Sequence, residues 1–327
     1  MRLNLYDKNM NRIAIIGGRF VSVLWSEGYN TVEPFTLELQ ATEEFKKKVR
    51  PDCYVGRDDR KTLMVIKTVK IEGGKIVASG KQAARCLKDV PFVGTIDKDT
   101  QVAAGIRSAY ESGEGYTGFL FSQTGPEAVY AHQISNKSIL ELCETMCQGT
   151  DMGFRTVRSI GGIILTEFYQ PEENPNLVYS QTFGNLTVDS ITLSTENLKN
   201  HAIVLGAGEG EDRTRVEIDN SGGGQKLSLI VDARDITREE EDTDESYQDK
   251  LLARGNEKLL ECMKTWECLF TPLVADFGTR FDLGDILTVL LPDFGMKLRS
   301  RVARFTQVEQ NNQTETTIEV GNITIVR

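Results

Sequence analysis

Histidine is scarce in this sequence, with His132 and His201 the only two in 327 residues, and tryptophan is limited to Trp25 and Trp266. A Ser-His-Asp or Cys-His catalytic site would have to use one of these histidines. Neither lies in a recognisable motif: His132 sits in Val-Tyr-Ala-His-Gln-Ile and His201 in Lys-Asn-His-Ala-Ile-Val, beside strand-like apolar residues that suggest partly buried structural roles. The six cysteines, Cys53, Cys86, Cys143, Cys147, Cys262 and Cys268, include no CxxC pair and are too sparse for a disulfide scaffold. No uninterrupted apolar run approaches the ~18 residues of a membrane span. The opening Met-Arg-Leu-Asn-Leu-Tyr-Asp-Lys-Asn-Met lacks the apolar stretch of a signal peptide, so Sec export and a membrane partner are not expected. Nor is there an excess of positive charge. The formal net charge of −10 argues against tight, sequence-independent DNA binding, which needs clustered cations.

Hydrophobic residues at 39% and charged residues at 26% are ordinary for a globular chain and exclude disorder as the main state. The length suggests two domains, or three, at roughly 150 residues each. Charge is unevenly spread. Residues 1–90 hold 17 Lys/Arg against 11 Asp/Glu, residues 91–270 hold 15 against 30, and residues 271–327 hold 6 against 7. The expected division of surfaces is a slightly basic part and an acidic part.

Residues 1–80 have the pattern of short strands: Ile13–Ile16, Phe20–Trp25, Phe35–Leu39 and Leu63–Glu72, evenly spaced as in a small barrel or sandwich. Phe35, Leu37 and Leu39 alternate with polar residues and should share one buried face. Gly73-Gly74 predicts a two-residue hairpin, since both glycines reach positive φ without strain. Lys81–Leu87 suggests a short helix. Residues 100–112 and 136–148 have helical spacing, the second with the apolar stripe Ile139, Leu140, Cys143, Met146 and Cys147. Two strands around Gly161-Gly162 follow. Beyond the polar break at Glu172–Pro175 come strands near Tyr179–Phe183, Ser190–Ser194, Ala202–Leu205, Arg213–Ile218 and Leu227–Ala233. A long helix is expected near 244–268, because Tyr247, Leu251, Leu259, Met263, Trp266 and Phe270 recur at helical spacing, with Gly255 filling a gap. The chain then returns to strands at Ile286–Leu291, Met296–Val308 and Thr314–Val320. Lys297, Arg299 and Arg301 alternate and project from one strand face, to solvent or to a partner.

Several motifs invite a functional reading that their context does not support. Gly113–Gly118 matches G-x-G-x-x-G, but a helix-like segment precedes it and strand-like Phe119-Leu120-Phe121 follows, the reverse of a dinucleotide site. Gly206–Arg213 is rich in glycine, yet its carboxylates would repel phosphate and their spacing fits no EF-hand. It suggests a loop between strands, with Arg213 available for salt links. The run Glu239–Asp242 suits a helix N-terminus better than a metal. Cys143, Cys147 and His132 form a conceivable zinc set, but buried free thiols are the simpler reading. No catalytic, cofactor-binding or metal residue is assigned.

Four stretches, in order along the chain, resemble a known family. They are Phe20–Trp25 with Glu33–Leu39 and Met64–Lys67; Phe183–Leu186 with Lys199–Arg213; Val231–Asp235; and Phe281–Val289. The sequence resembles the phage tail-tip or baseplate hub proteins of the siphovirus ReqiPepy type, common in prophages of Gram-positive hosts. It departs from them at Tyr169–Asn174, where relatives tend to carry a Gly-Arg-Asp-Arg-like turn. The resemblance implies a β-rich α+β fold of two tail-tube-like β-barrel domains, an α+β middle region and one long helix. The expected domains are 1–90, 91–175 and 176–327.

The resemblance further implies a structural virion protein: a homotrimeric hub, non-enzymatic and without cofactor, joining a six-fold tail tube to a three-fold tip. Its partners would be the tail-tube protein above and a spike, fibre or lytic tail protein below. Tape-measure protein or DNA would occupy the channel without sequence-specific binding. Assembly would occur in the bacterial cytoplasm, in a phage tail or a contractile injection system. The alternatives are a tail-associated cell-wall hydrolase, for which no carboxylate pair stands out, and a carbohydrate-binding receptor module. The latter needs exposed aromatics, whereas Trp25 and Trp266 both lie in apolar patterns.

Overall fold

In the computed structural model, the residues described are 1–113, 118–159, 161–236, 238, 243–262, 265–311 and 313–326. Their secondary structure is mostly strand, and the largest assembly is an eleven-stranded sheet drawn from both ends of the chain. Its N-terminal half contains Leu3–Tyr6, Arg12–Gly17, Ser22–Gly28, Pro34–Gln40, Tyr54–Arg57, Leu63–Glu72 and Lys75–Gln82. Its C-terminal half contains Glu173–Ser180, Ile286–Leu291, Met296–Gln310 and Gln313–Val326. The halves join where Ser22–Gly28 pairs antiparallel with Met296–Gln310, Trp25 opposite Gln307. No pairing among the described residues closes this sheet into a barrel.

Alternation accounts for much of the sheet. Phe35, Leu37 and Leu39 are buried on one face of Pro34–Gln40. Gly73 and Gly74, both at positive φ, turn Leu63–Glu72 into Lys75–Gln82. The strand Ser22–Gly28 breaks the alternation, since Trp25, Ser26, Glu27 and Gly28 are all buried. Both faces are covered there, and the charged cleft described below begins at that point.

Within the N-terminal half, helix α1 (Glu43–Lys48), absent from the sequence-based expectation, links Pro34–Gln40 to Tyr54–Arg57, and between the two halves lie α2 (Val102–Ser112) and α3 (Ile139–Gln148). Of the short helix expected at Lys81–Leu87, Lys81 and Gln82 end the strand Lys75–Gln82, and Ala83–Asp89 is a 3-10 helix rather than an α-helix. The α3 N-terminus is closed by a capping box: Ser138 accepts from the Glu141 N–H, and the Glu141 carboxylate accepts from the Ser138 N–H. The stripe Ile139, Leu140, Cys143, Met146 and Cys147 is buried. It belongs to one core with Tyr6, Tyr54, Leu63 and Val65 of the N-terminal strands and Phe154 and Phe168 of the hairpin Gly153–Arg158 and Ile164–Tyr169. That shared core crosses residue 90.

The chain divides into a larger unit, Met1–Asp189 with Leu269–Arg327, and a smaller one, Ser190–Cys268. The smaller unit has a three-stranded sheet of His201–Leu205, Arg215–Asp219 and Ser228–Asp232, against which α4 (Asp244–Glu261) packs through Tyr247, Leu251 and Leu259. Gly255 is required where helix and sheet touch, because a Cβ there would lie 2.5 Å from Ile218 and 2.6 Å from Val204.

The helix is shorter than the expected 244–268. It ends at Glu261, with the Cys262 N–H turned back to Leu259, and Thr265–Pro272 is a strand paired with Leu186–Ser194. The apolar residues of Thr-Trp-Glu-Cys-Leu-Phe-Thr suit a strand as well as a helix, and tertiary pairing decides between the two. The run Glu239–Asp242 and residues 114–117 of the glycine motif lie outside the described residues, as do Met263 and the Trp266 and Phe270 side chains.

Candidate functional site

The charged cleft of the larger unit has a volume of about 450 Å³, and its lining runs from Glu27 to Gln307 in sequence. At its floor is the Glu27 carboxylate, 1% exposed. Glu27 follows Trp25 by two residues and so shares its sheet face, which lets the Trp25 Nε1–H donate to Oε1 at 2.7 Å. Arg60 donates from Nε at 3.0 Å and from Nη2 at 2.9 Å, a fork that matches the carboxylate plane. The Thr62 hydroxyl adds a fourth bond at 2.7 Å. Burial pushes the Glu27 pKa up, but the Arg60 charge and these donors outweigh it and hold the group below the usual carboxylate range. Burial likewise opposes the Arg60 charge, and Glu27 and Asp282 overcome it to raise the Arg60 pKa.

The remaining walls come from distant parts of the chain. Asp282 accepts from Arg60 at 3.2 Å, and Arg155 approaches it at 3.6 Å while donating to Glu167 at 3.1 Å. The Arg60 guanidinium lies over Phe277, 4.5 Å from the ring centre, and Arg57 lies over Trp25 at 5.4 Å. Arg57 donates from Nε to Asp59 at 2.9 Å. The Asp282 loop is fixed locally, because the Asp285 carboxylate accepts from the Asp282 N–H and the Glu172 N–H, each at 2.7 Å. The apolar pattern around Trp25 points to a core strand, but the ion pairs join residues up to 222 apart and leave no local signature.

The residues singled out from sequence lie elsewhere. Cys143 and Cys147 are buried on α3, and burial pushes both thiols well above the ordinary cysteine range. His132 is exposed rather than partly buried, with its ring edge-on to Tyr130. His201 is buried, with Nδ1 3.0 Å from the Ser228 hydroxyl. Arg213 bonds Asp232 at 2.7 Å, a salt link from the loop Gly206–Arg213. Arg299 pairs with Glu173 and Arg301 with Asp151, so these two cations of the alternating row are engaged within the chain. Among the described residues there is no cluster of three or more potential metal ligands and no helix long and apolar enough to cross a membrane.

Three strands of the large sheet are paired on one side only among the described residues: Arg12–Gly17, Glu173–Ser180 and Gln313–Val326. Glu173–Ser180 is blunted by Pro175 and an irregular register. The other two present backbone donors and acceptors of the kind that pair with another chain.

The family model described as Siphovirus ReqiPepy6 Gp37-like protein matches residues 121–322. No curated protein matches by sequence. Among solved structures, the prophage tail protein gp18 from Listeria monocytogenes EGD-e is similar at a TM-score of 0.60 and 12% identity, over 98% of this chain and 94% of that one. The 43 kDa tail protein of prophage MuSo2 from Shewanella oneidensis gives 0.59 and 12%, over 98% of each chain. The tail protein from Neisseria meningitidis MC58 gives 0.58 and 10%, over 98% and 95%. At these identities the likeness is one of fold.

Proposed function

Because this chain belongs to the Siphovirus ReqiPepy6 Gp37-like family of phage tail proteins, we propose that it is a non-enzymatic structural component of the virion, a trimeric hub at the tail tip or baseplate. The observation that carries this reading is the family match together with a fold shared along 98% of the chain with two prophage tail proteins and a third tail protein. The two halves of the large sheet are the counterparts of two tube-like barrels. Strands within residues 1–90 supply one, and Glu173–Ser180 with Ile286–Leu291, Met296–Gln310 and Gln313–Val326 supply the other. Three subunits with two such halves each provide six quasi-equivalent positions around a three-fold axis, the geometry needed to meet a six-fold tube. The free edges Arg12–Gly17 and Gln313–Val326 suit subunit pairing by strand addition. A spike, fibre or lytic protein occupies the distal side, and tape-measure protein or DNA the channel.

Light scattering of the purified protein, alone and with the tail-tube protein of the same prophage, tests this. A trimer, or a ring formed on the tube protein, is the expected result. A chain that stays monomeric at high concentration and never joins the tube overturns the hub. Peptidoglycan cleavage that is lost on replacing a single carboxylate would favour a hydrolase instead.

A further inference from the structure

The cleft around Glu27 has more hydrogen-bond donors than its own acceptors use. All three carboxylates in its lining are engaged: Glu27 by four donors, Asp59 by Arg57, and Asp282 by Arg60 and the Leu283 N–H. Four cations line the same space, Arg57, Arg60, Lys61 and Arg155, and Arg155 is further engaged by Glu167 beyond the lining. Unused donors remain all the same. Among the described residues Arg60 Nη1 makes no hydrogen bond and exposed Lys61 has no partner. Arg57, whose side chain is 3% exposed, keeps Nη1 buried without a partner. Gly278, at φ +77°, leaves the space beside Arg60 Nη1 clear; a Cβ there would come within 3.1 Å of that nitrogen. A space of about 450 Å³ falls in the range of small-ligand sites.

We propose that this cleft receives a carboxylate, held by Arg60 Nη1 and Lys61. A planar carboxylate suits a guanidinium edge, and the Lys61 ammonium adds a second cationic donor. The carboxylate comes either from an acidic side chain on a partner's extended segment or from a free small dicarboxylate. This site needs no ring assembly and stands or falls apart from the hub reading.

The test is titration of the intact protein, followed by amide chemical shifts, with three probes at millimolar concentration: the capped tripeptide Ac-Gly-Glu-Gly-NH2, its glutamine counterpart, and glutarate. Shifts confined to residues around the cleft with the glutamate peptide, absent with the glutamine peptide, support the proposal and assign a protein source. The same shifts with glutarate alone support it with a small-molecule source. Lys61→Met should weaken binding about fivefold, the loss expected for a partly exposed charge pair, while Lys98→Met leaves it unchanged. Equal binding of the glutamine peptide, no binding of any probe, or affinity unaffected by Lys61→Met overturns it.

Discussion

Removing Arg60 should destabilise the larger unit more than any single surface ion pair could. Arg60→Met keeps an apolar stem over Phe277 but strips Glu27 of two of its four donors, leaving Trp25 Nε1 and the Thr62 hydroxyl. Breaking a buried pair on one side costs about 3–5 kcal/mol, because the remaining charge stays buried. Glu27→Gln is milder. Its amide oxygen can still accept from Trp25 Nε1 and Arg60 Nε, and the charged hydrogen bonds it loses are worth about 2 kcal/mol. In the double variant no unpaired carboxylate remains, so its cost should fall short of the sum by about 1–3 kcal/mol. Urea unfolding read by Trp25 fluorescence in a Trp266→Phe background measures all three. The acid side supplies a sign check. In the native protein the Glu27 pKa is depressed on folding, so its stabilisation is complete above the ordinary carboxylate range and is lost as pH falls through the folded value. Without Arg60, only the Trp25 and Thr62 hydrogen bonds oppose burial, the folded pKa rises above its native value, and the gap between native protein and Arg60→Met should narrow toward acid pH. An Arg60→Met cost below about 1 kcal/mol, or strict additivity in the double variant, would mean that water reaches the carboxylate and would refute the reasoning.

Gly255→Ala should destabilise the smaller unit by about 1–3 kcal/mol despite a helix-propensity gain of about 1 kcal/mol, because its methyl would overlap Ile218 and Val204. Hydrogen exchange in residues 190–262 reads this directly, and slower exchange would contradict the close packing. Ser138→Ala removes the capping box of α3 and should cost about 1 kcal/mol by denaturation, with the loss appearing as faster exchange in the first turn.

Local chemistry was legible in the sequence wherever one face or one turn decided the outcome. Phe35, Leu37 and Leu39 announce a buried strand face, Gly73-Gly74 a hairpin, and the stripe from Ile139 to Cys147 the buried side of α3. Failures came where partners lie far away in sequence. Trp266 and Phe270 continue the helical spacing of Leu251 and Leu259, yet Thr265–Pro272 pairs with Leu186–Ser194 instead. His132 resembles a residue inside a strand pattern but sits in the exposed stretch between Val129–Tyr130 and Ile134–Ser138. The cleft was least visible of all. Glu27, Arg60, Arg155 and Asp282 are ordinary surface residue types in isolation, and only the pairing of Ser22–Gly28 with Met296–Gln310 reveals that Glu27 is buried. Family resemblance carried the functional reading where these residues could not.

The seam between the two sheet halves also imposes a timetable. Ser26 and Thr306, which bond through their hydroxyls at 2.9 Å across that seam, are 280 residues apart. A ribosome adding ~5–20 residues per second needs roughly 14–56 s to make the intervening chain. Throughout that interval Ser22–Gly28 is a nascent edge whose permanent neighbour does not yet exist, at the strand that carries Trp25 and Glu27. Newly made chains therefore pass through a window in which a neighbouring nascent chain can occupy the place reserved for Met296–Gln310.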